Sequence, residues 1–218
     1  MNNLEQLTTI SHNLRLFCES TLVPCISPNT EIYLLKLLEQ HKPKRILEIG
    51  TACWYSLFTM AKTIQAWWWT IIWCERAYPN RVEINKLLSL SKQYRLDNIQ
   101  CLYWPFLAID PKVLQSDSVT MQQWGIEALK HCGIETVFDF VFIDAQKSEY
   151  PLYIDYLVQH KLINDQTILL FDDVIKYQDK MPWLTEKLEE LGYSYQIKQL
   201  ELDDGVLLAW QQSLLWLQ

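Results

Sequence analysis

The sequence predicts an α/β fold: a Rossmann-like, doubly wound, mostly parallel seven-stranded sheet with helices on both faces and a C-terminal antiparallel hairpin. Three observations lead there. Short apolar runs such as "RILEI", "TIIWCE", "VFDFVFIDA" and "TILLFDD" alternate with segments of helical periodicity, and that alternation favours a parallel sheet covered on both faces. The later runs are continuously apolar, as strands buried on both sides are. The end of the chain differs, because "YSYQIKQLELDDGVLLAWQQ" reads as two strands joined by an acidic turn with Gly205.

Each element follows in order. Residues 1–28 read as an N-terminal helical segment, and "NTEIYLLKLLE" (29–39) places apolar residues at helical spacing after Ser-Pro-Asn-Thr, with "HKPKR" breaking the helix. The strand "RILEI" runs into the turn "GTACW" and the helix "YSLFTMAKTI". A second strand (70–75), the helix "RVEINKLLSLSKQY" and a third strand (98–104) repeat the unit. Residues 110–135 lose periodicity and read as an insertion beside one strand. After them come the strand ending at Asp144, the helix "YPLYIDYLVQHKL", the strand "TILLFDD", the helix "PWLTEKLEELG" and the hairpin. No repeat or linker divides the chain, so residues 1–218 read as a single domain.

Composition narrows the function. Half of the 218 residues are apolar, ample for one buried core. A net charge of -7 and a pI near 5.1 argue against nucleic acid as a partner, since such binding draws on clustered Lys and Arg. No apolar run reaches the roughly 20 residues of a membrane helix, and the N-terminus lacks the plan of a signal peptide. The expectation is a cytoplasmic protein without a membrane partner. Six cysteines without a CxxC pair read as buried free thiols rather than disulfides or a zinc site. The unusual feature is ten Trp against five Gly, when Gly normally makes up about 7% of residues.

Ligands of open α/β sheets bind at the carboxyl ends of the strands, and here those ends are acidic. The first strand ends at Glu48 and Gly50, the second at Glu75, the fourth at Asp144, the fifth at Asp172 and Asp173. Glu75 is placed to accept the hydroxyls of a ribose, or else simply opens a helix, where negative charge meets the dipole favourably. Glu48 is either a ligand contact or a cap on neighbouring backbone donors. Asp144, Asp172 and Asp173 would repel one another in a partly desolvated cleft unless protons or a cation intervened. Oxygen ligands of this kind suit Mg²⁺ or another hard divalent cation; the alternative is three solvated loop aspartates. Lys147 lies three residues beyond Asp144, and beside a dication its pKa would fall, making it a candidate general base.

Together these residues resemble the metal-dependent class I O-methyltransferases, the group of catechol and caffeoyl-CoA O-methyltransferases. The likeness spans about Ser27 to Gln211 through "SPNTEIYLLKLL", "RILEIGTACWYS", "CERAYP", "FDFVFIDAQKSEY" and "LLFDDV". It implies S-adenosylmethionine as cofactor, with contacts along Glu48, Gly50, Ala52, Trp54 and Ser56, the ribose on Glu75, and further contacts at Trp104 and Asp144. It implies a divalent metal on Asp144, Asp172 and Asp173, and Lys147 taking the proton of a hydroxyl on a small, catechol-like acceptor. A homodimer through the N-terminal helix and the C-terminal "SLLWLQ" is a further expectation.

Two departures stand out. The family pairs its second metal aspartate with Asn, whereas this chain has Asp173. Its first loop carries Gly where this chain has Ala52 or Trp54, and a small residue near Trp104. Trp67, Trp68, Trp69 and Trp73 also occupy a stretch where glycine would be ordinary. One account is a codon that the source organism reads as Gly and that has been translated as Trp. Another is a catalytically inactive, methyltransferase-like binding domain whose cofactor pocket is blocked by Trp54. A nicotinamide-dependent enzyme also begins with a strand, a glycine turn and a later acid, but it has no use for the far acidic cluster.

Overall fold

The computed structural model describes residues 3–21, 23–50, 52, 54–64, 70–74, 99–102 and 137–211. Helix α1 (Asn3–Thr21) precedes α2 (Pro28–His41), whose start is set by local chemistry. The Ser27 hydroxyl caps it by accepting from the Thr30 N–H at 3.0 Å, and Pro28, lacking a donor, suits the first turn. Lys42 ends it in the left-handed region, its N–H donating to the Leu38 carbonyl. The helix buries Leu34, Leu37 and Leu38.

Strands β1 (Arg45–Ile49), β2 (Thr70–Cys74), β3 (Ile99–Leu102), β4 (Phe140–Ile143), β5 (Ile168–Phe171), β6 (Tyr193–Gln199) and β7 (Gly205–Gln211) alternate with α3 (Tyr55–Ile64), α4 (Tyr150–Gln159) and α5 (Leu184–Glu190). The described strands form one mixed sheet in the order β3-β2-β1-β4-β5-β7-β6. Parallel pairing sets Leu47 beside Val141 and Val141 beside Leu169. Strand β7 runs antiparallel to both β5 and β6. Gly205 is required where the hairpin closes, because a Cβ there would lie 2.2 Å from the Lys198 carbonyl oxygen.

Successive strand residues point to opposite faces, and the core divides accordingly. Ile46, Phe140, Phe142, Leu170 and Leu208 pack on one face with α2 and α3. Leu47, Val141, Ile143, Leu169 and Phe171 pack on the other with α4 and α5. Every residue of β4 and β5 is buried, which explains their unbroken apolar sequence. Helix α1 is tied to this body by Arg15, whose guanidinium stacks 4.2 Å from the Tyr55 ring centre and donates to Glu31 at 3.2 Å.

The chain leaves β1 toward β2 and β3 on one side, and resumes at β4 and β5 on the other. This reversal falls between β1 and β4, and it is at the carboxyl ends of strands at such a point that doubly wound sheets bind ligands. One expectation is corrected. Cys18 is buried and disulfide-bonded; Cys25 is free. Among the described residues no helix is long and apolar enough to cross a membrane. The expected helix "RVEINKLLSLSKQY", the 110–135 insertion and "SLLWLQ" lie outside the described residues.

Candidate functional site

This end of the sheet is built by close backbone contact. Gly50 follows β1 with φ +81°, and a Cβ on it would lie 2.3 Å from the Asp144 carbonyl oxygen and 2.7 Å from the Ala145 Cα. Only glycine fits both that conformation and that approach. The Asp144 N–H donates to the Ile49 carbonyl at 2.9 Å, and the Asp172 N–H to the Ile143 carbonyl at 3.0 Å. Pairing thus continues one residue past β4 and β5, and places Asp144, Asp172 and Asp173 at one end of the sheet.

Lys147 comes back to this end because a single 3-10 turn, Lys147–Glu149, follows the strand. Its ammonium donates to Asp144 Oδ1 at 2.8 Å and to Tyr150 Oη at 2.9 Å, and pairs with Asp173 Oδ2 at 2.9 Å. Tyr150, fully buried, donates in turn to the Asp172 carbonyl at 3.1 Å. The Thr30 hydroxyl, at the start of α2, donates to Asp172 Oδ1 at 3.4 Å.

The charges explain the titration. Burial alone would lower the Lys147 ammonium, but Asp144, Tyr150 and Asp173 outweigh it and hold the pKa far above the ordinary lysine range. In this arrangement Lys147 keeps its proton; the general base expected from the sequence is the amine beside a dication. Asp172 is pushed well up, by burial first and then by Asp144 and Asp173. Burial would also raise Asp173, yet Lys147 and a hydrogen bond from Asp204 bring it below the usual carboxylate value. Asp204 moves up, through its own burial and that same bond. It sits at the β6–β7 turn, its Oδ1 accepting from the Gly205 N–H at 2.7 Å and the Lys176 N–H at 3.3 Å.

The donor chemistry suits a hard cation, since three carboxyl groups gather here and Lys147 pairs with two of them, Asp144 and Asp173. The ligands are not drawn together as a cage, however: among the described residues no group of three His, Cys, Asp or Glu is placed to hold a metal ion. The cation lying between Asp144 and Asp173 is the lysine's own.

The other expected residues divide. Glu48 is fully buried in β1 and accepts a hydrogen bond from the hydroxyl of Ser56 on α3, so these two engage each other. Ala52 and Trp54 lie in the turn with φ of 42° and 68°, and the Trp54 indole is buried among Tyr55, Leu57 and Phe58. Glu75 and Trp104, like Trp67, Trp68 and Trp69, lie outside the described residues; of Trp73 only the backbone, within β2, is described. Sequence reasoning missed Thr30, Tyr150 and Asp204. Tyr150 was readable as the residue three beyond Lys147 in "KSEY", whereas Asp204 shows in the sequence only as turn chemistry.

No protein-family model matches the chain. Solved structures do. The O-methyltransferase from Bacillus cereus in complex with SAH is similar over 95% of this chain and 89% of its own, at TM-score 0.64 and 20% identity. The Streptomyces achromogenes O-methyltransferase TomG, in complex with SAM, is similar over 92% of this chain and 88% of its own, at TM-score 0.66 and 18% identity. The SAH-bound Podospora anserina methyltransferase PaMTH1 is similar over 97% and 88%, at TM-score 0.62 and 18% identity. At these identities the likeness is one of fold.

Proposed function

We propose, from the premise that this chain has the α/β fold of those O-methyltransferases, that it transfers a methyl group from S-adenosylmethionine to a hydroxyl of a small, catechol-like acceptor. The observation that carries the reading is the convergence of Asp144, Asp172 and Asp173 on Lys147, beside Gly50, at the point where the strand order reverses. S-adenosylmethionine would supply the methyl as a sulfonium, so that the O–CH₃ bond forms as the S–CH₃ bond breaks and the acceptor proton leaves to a base. Gly50 keeps the strand ends close and Glu48 with Ser56 fixes the start of α3. Both serve to position reactants, which is most of what such a displacement needs.

Asp144, Asp172 and Asp173 would hold a divalent cation, which would acidify a chelated hydroxyl and leave Lys147 without its carboxylate partners, the state in which its amine can take a proton. Tyr150 keeps the Lys147 nitrogen directed into the cleft. A hydrogen bond from Asp204 favours the ionised form of Asp173, so the charge that this residue adds where the family has Asn is retained.

A product assay with labelled S-adenosylmethionine against a panel of vicinal diols, with and without a chelator, tests the reading. Methyl transfer that the chelator suppresses supports it; transfer indifferent to the chelator removes the metal. The second reading, a binding domain without catalysis, is favoured by the indole of Trp54 buried in the cofactor turn. It gains if no S-adenosylmethionine binds to either the Trp54 or the Trp54→Gly chain by calorimetry.

A further inference from the structure

Helices α3 and α5 begin in the same unusual way. The Trp54 carbonyl accepts from the Phe58 N–H at 3.1 Å, and the Trp183 carbonyl from the Lys187 N–H at 2.9 Å. Each tryptophan thus occupies the position just before its helix, where the carbonyl already belongs to the helix but the backbone does not. That position normally holds extended backbone and favours Ser, Thr, Asp, Asn or Gly, the polar side chains accepting a backbone N–H. Here both residues are left-handed instead, with φ of 68° and 71°, and the Trp183 side chain makes no capping bond.

A left-handed conformation is a true outlier for a bulky residue. Among residues suited to this position, glycine alone adopts it freely. The other described left-handed positions hold Gly50 and Gly192, Asp173, whose residue type tolerates it, Lys42 and Lys161 just past helix ends, and Ala52; none of these carries a side chain as bulky as an indole. Trp183 is also 70% exposed, so burial does not account for its indole. Trp210 gives the contrast. It lies in β7, paired with Ser194 and buried, as a structural tryptophan should be.

We infer that positions 54 and 183 are glycine caps, and that the organism carrying this gene inserts glycine there, through a codon distinct from the one that specifies Trp210. The two sites lie on different helices, and only position 54 belongs to the candidate cofactor turn. A common preference for glycine at both therefore has a backbone origin rather than a functional one. The scarcity of Gly against Trp in the whole chain, five to ten, has the same origin. For the site, the consequence deepens the methyltransferase reading and rests on it: with glycine at 54 the turn after β1 presents bare backbone to the cofactor.

Peptide mass spectrometry of the protein isolated from its own organism, read beside the codons of its gene, tests the inference. The expected result is glycine at 54 and 183 from one shared codon, with tryptophan retained at 210 from another. Tryptophan at 54 and 183 in the native protein overturns it. A second measurement asks for the backbone preference itself. Trp183→Gly should raise Tm by about 2–4 °C, while Trp183→Ala, which removes the indole but keeps a Cβ, should give a smaller gain or none. Equal effects of the two substitutions would contradict a glycine position. Neither measurement depends on methyl transfer, so failure of the proposed activity would leave both outcomes readable.

Discussion

Asp172 carries the clearest conflict between stability and chemistry at the scale of single residues. It is buried, and its carboxyl is pushed up by that burial and by Asp144 and Asp173. For an acid whose folded-state pKa lies above its unfolded value, the folded state loses stability as pH rises through that interval. Below the ordinary carboxylate range the group is protonated in both states and contributes nothing. Asp172→Asn is therefore expected to raise Tm by about 2–4 °C at neutral pH and to leave it unchanged near pH 3. A loss of stability at neutral pH would show that the carboxylate is better accommodated than its surroundings indicate. Gly50 makes the opposite case, because a Cβ at φ +81° collides with the Asp144 carbonyl oxygen at 2.3 Å. Gly50→Ala should cost about 2–4 kcal/mol, read from urea unfolding; a loss below about 1 kcal/mol would mean that β1 and β4 can separate without penalty.

At the scale of elements, α2 links the N-terminal segment to the acidic cleft. Its first turn holds Thr30 against Asp172, while its last turn carries His41. Burial lowers the His41 imidazole from its ordinary value to about 4. A histidine depressed in the folded state makes no difference to stability above the unfolded pKa, and destabilises progressively as pH falls from about 6.5 toward 4. The half-buried ring stays partly solvated, so the effect is discounted to about 1 kcal/mol. Unfolding measured from pH 7 to 4 should show this loss, and His41→Gln should flatten that part of the profile. An unchanged profile in the variant would assign the acid sensitivity elsewhere. The hairpin acts on the same cluster, since the turn that closes β6 on β7 brings Asp204 to Asp173.

The whole molecule shows which features of a sequence foretell structure and which do not. The α/β alternation was legible because β4 and β5 are buried on both faces and so carry no polar residue until they end, at Asp144 and Asp172. The gathering of those aspartates with Lys147 was legible for the same reason: strand ends in a parallel sheet lie side by side. The state of Lys147 was not, because its proton depends on the balance of burial against Asp144, Tyr150 and Asp173, and no spacing encodes how deeply the amine is buried. Asp204 escaped notice because its partner lies past the end of β5, the strand paired with β7, rather than nearby in sequence. The disulfide of Cys18 was likewise hidden, as cysteine spacing says nothing of which thiols meet in space.

Methyl transfer by the Trp54→Gly chain, compared with the same chain also carrying Lys147→Met, tests the central claim most directly. With S-adenosylmethionine and a vicinal diol, the account predicts transfer by the first and a loss of about 100-fold or more in the second, with cooperative unfolding and cofactor affinity retained. Transfer at equal rates, or cofactor binding without any transfer in either chain, would contradict it.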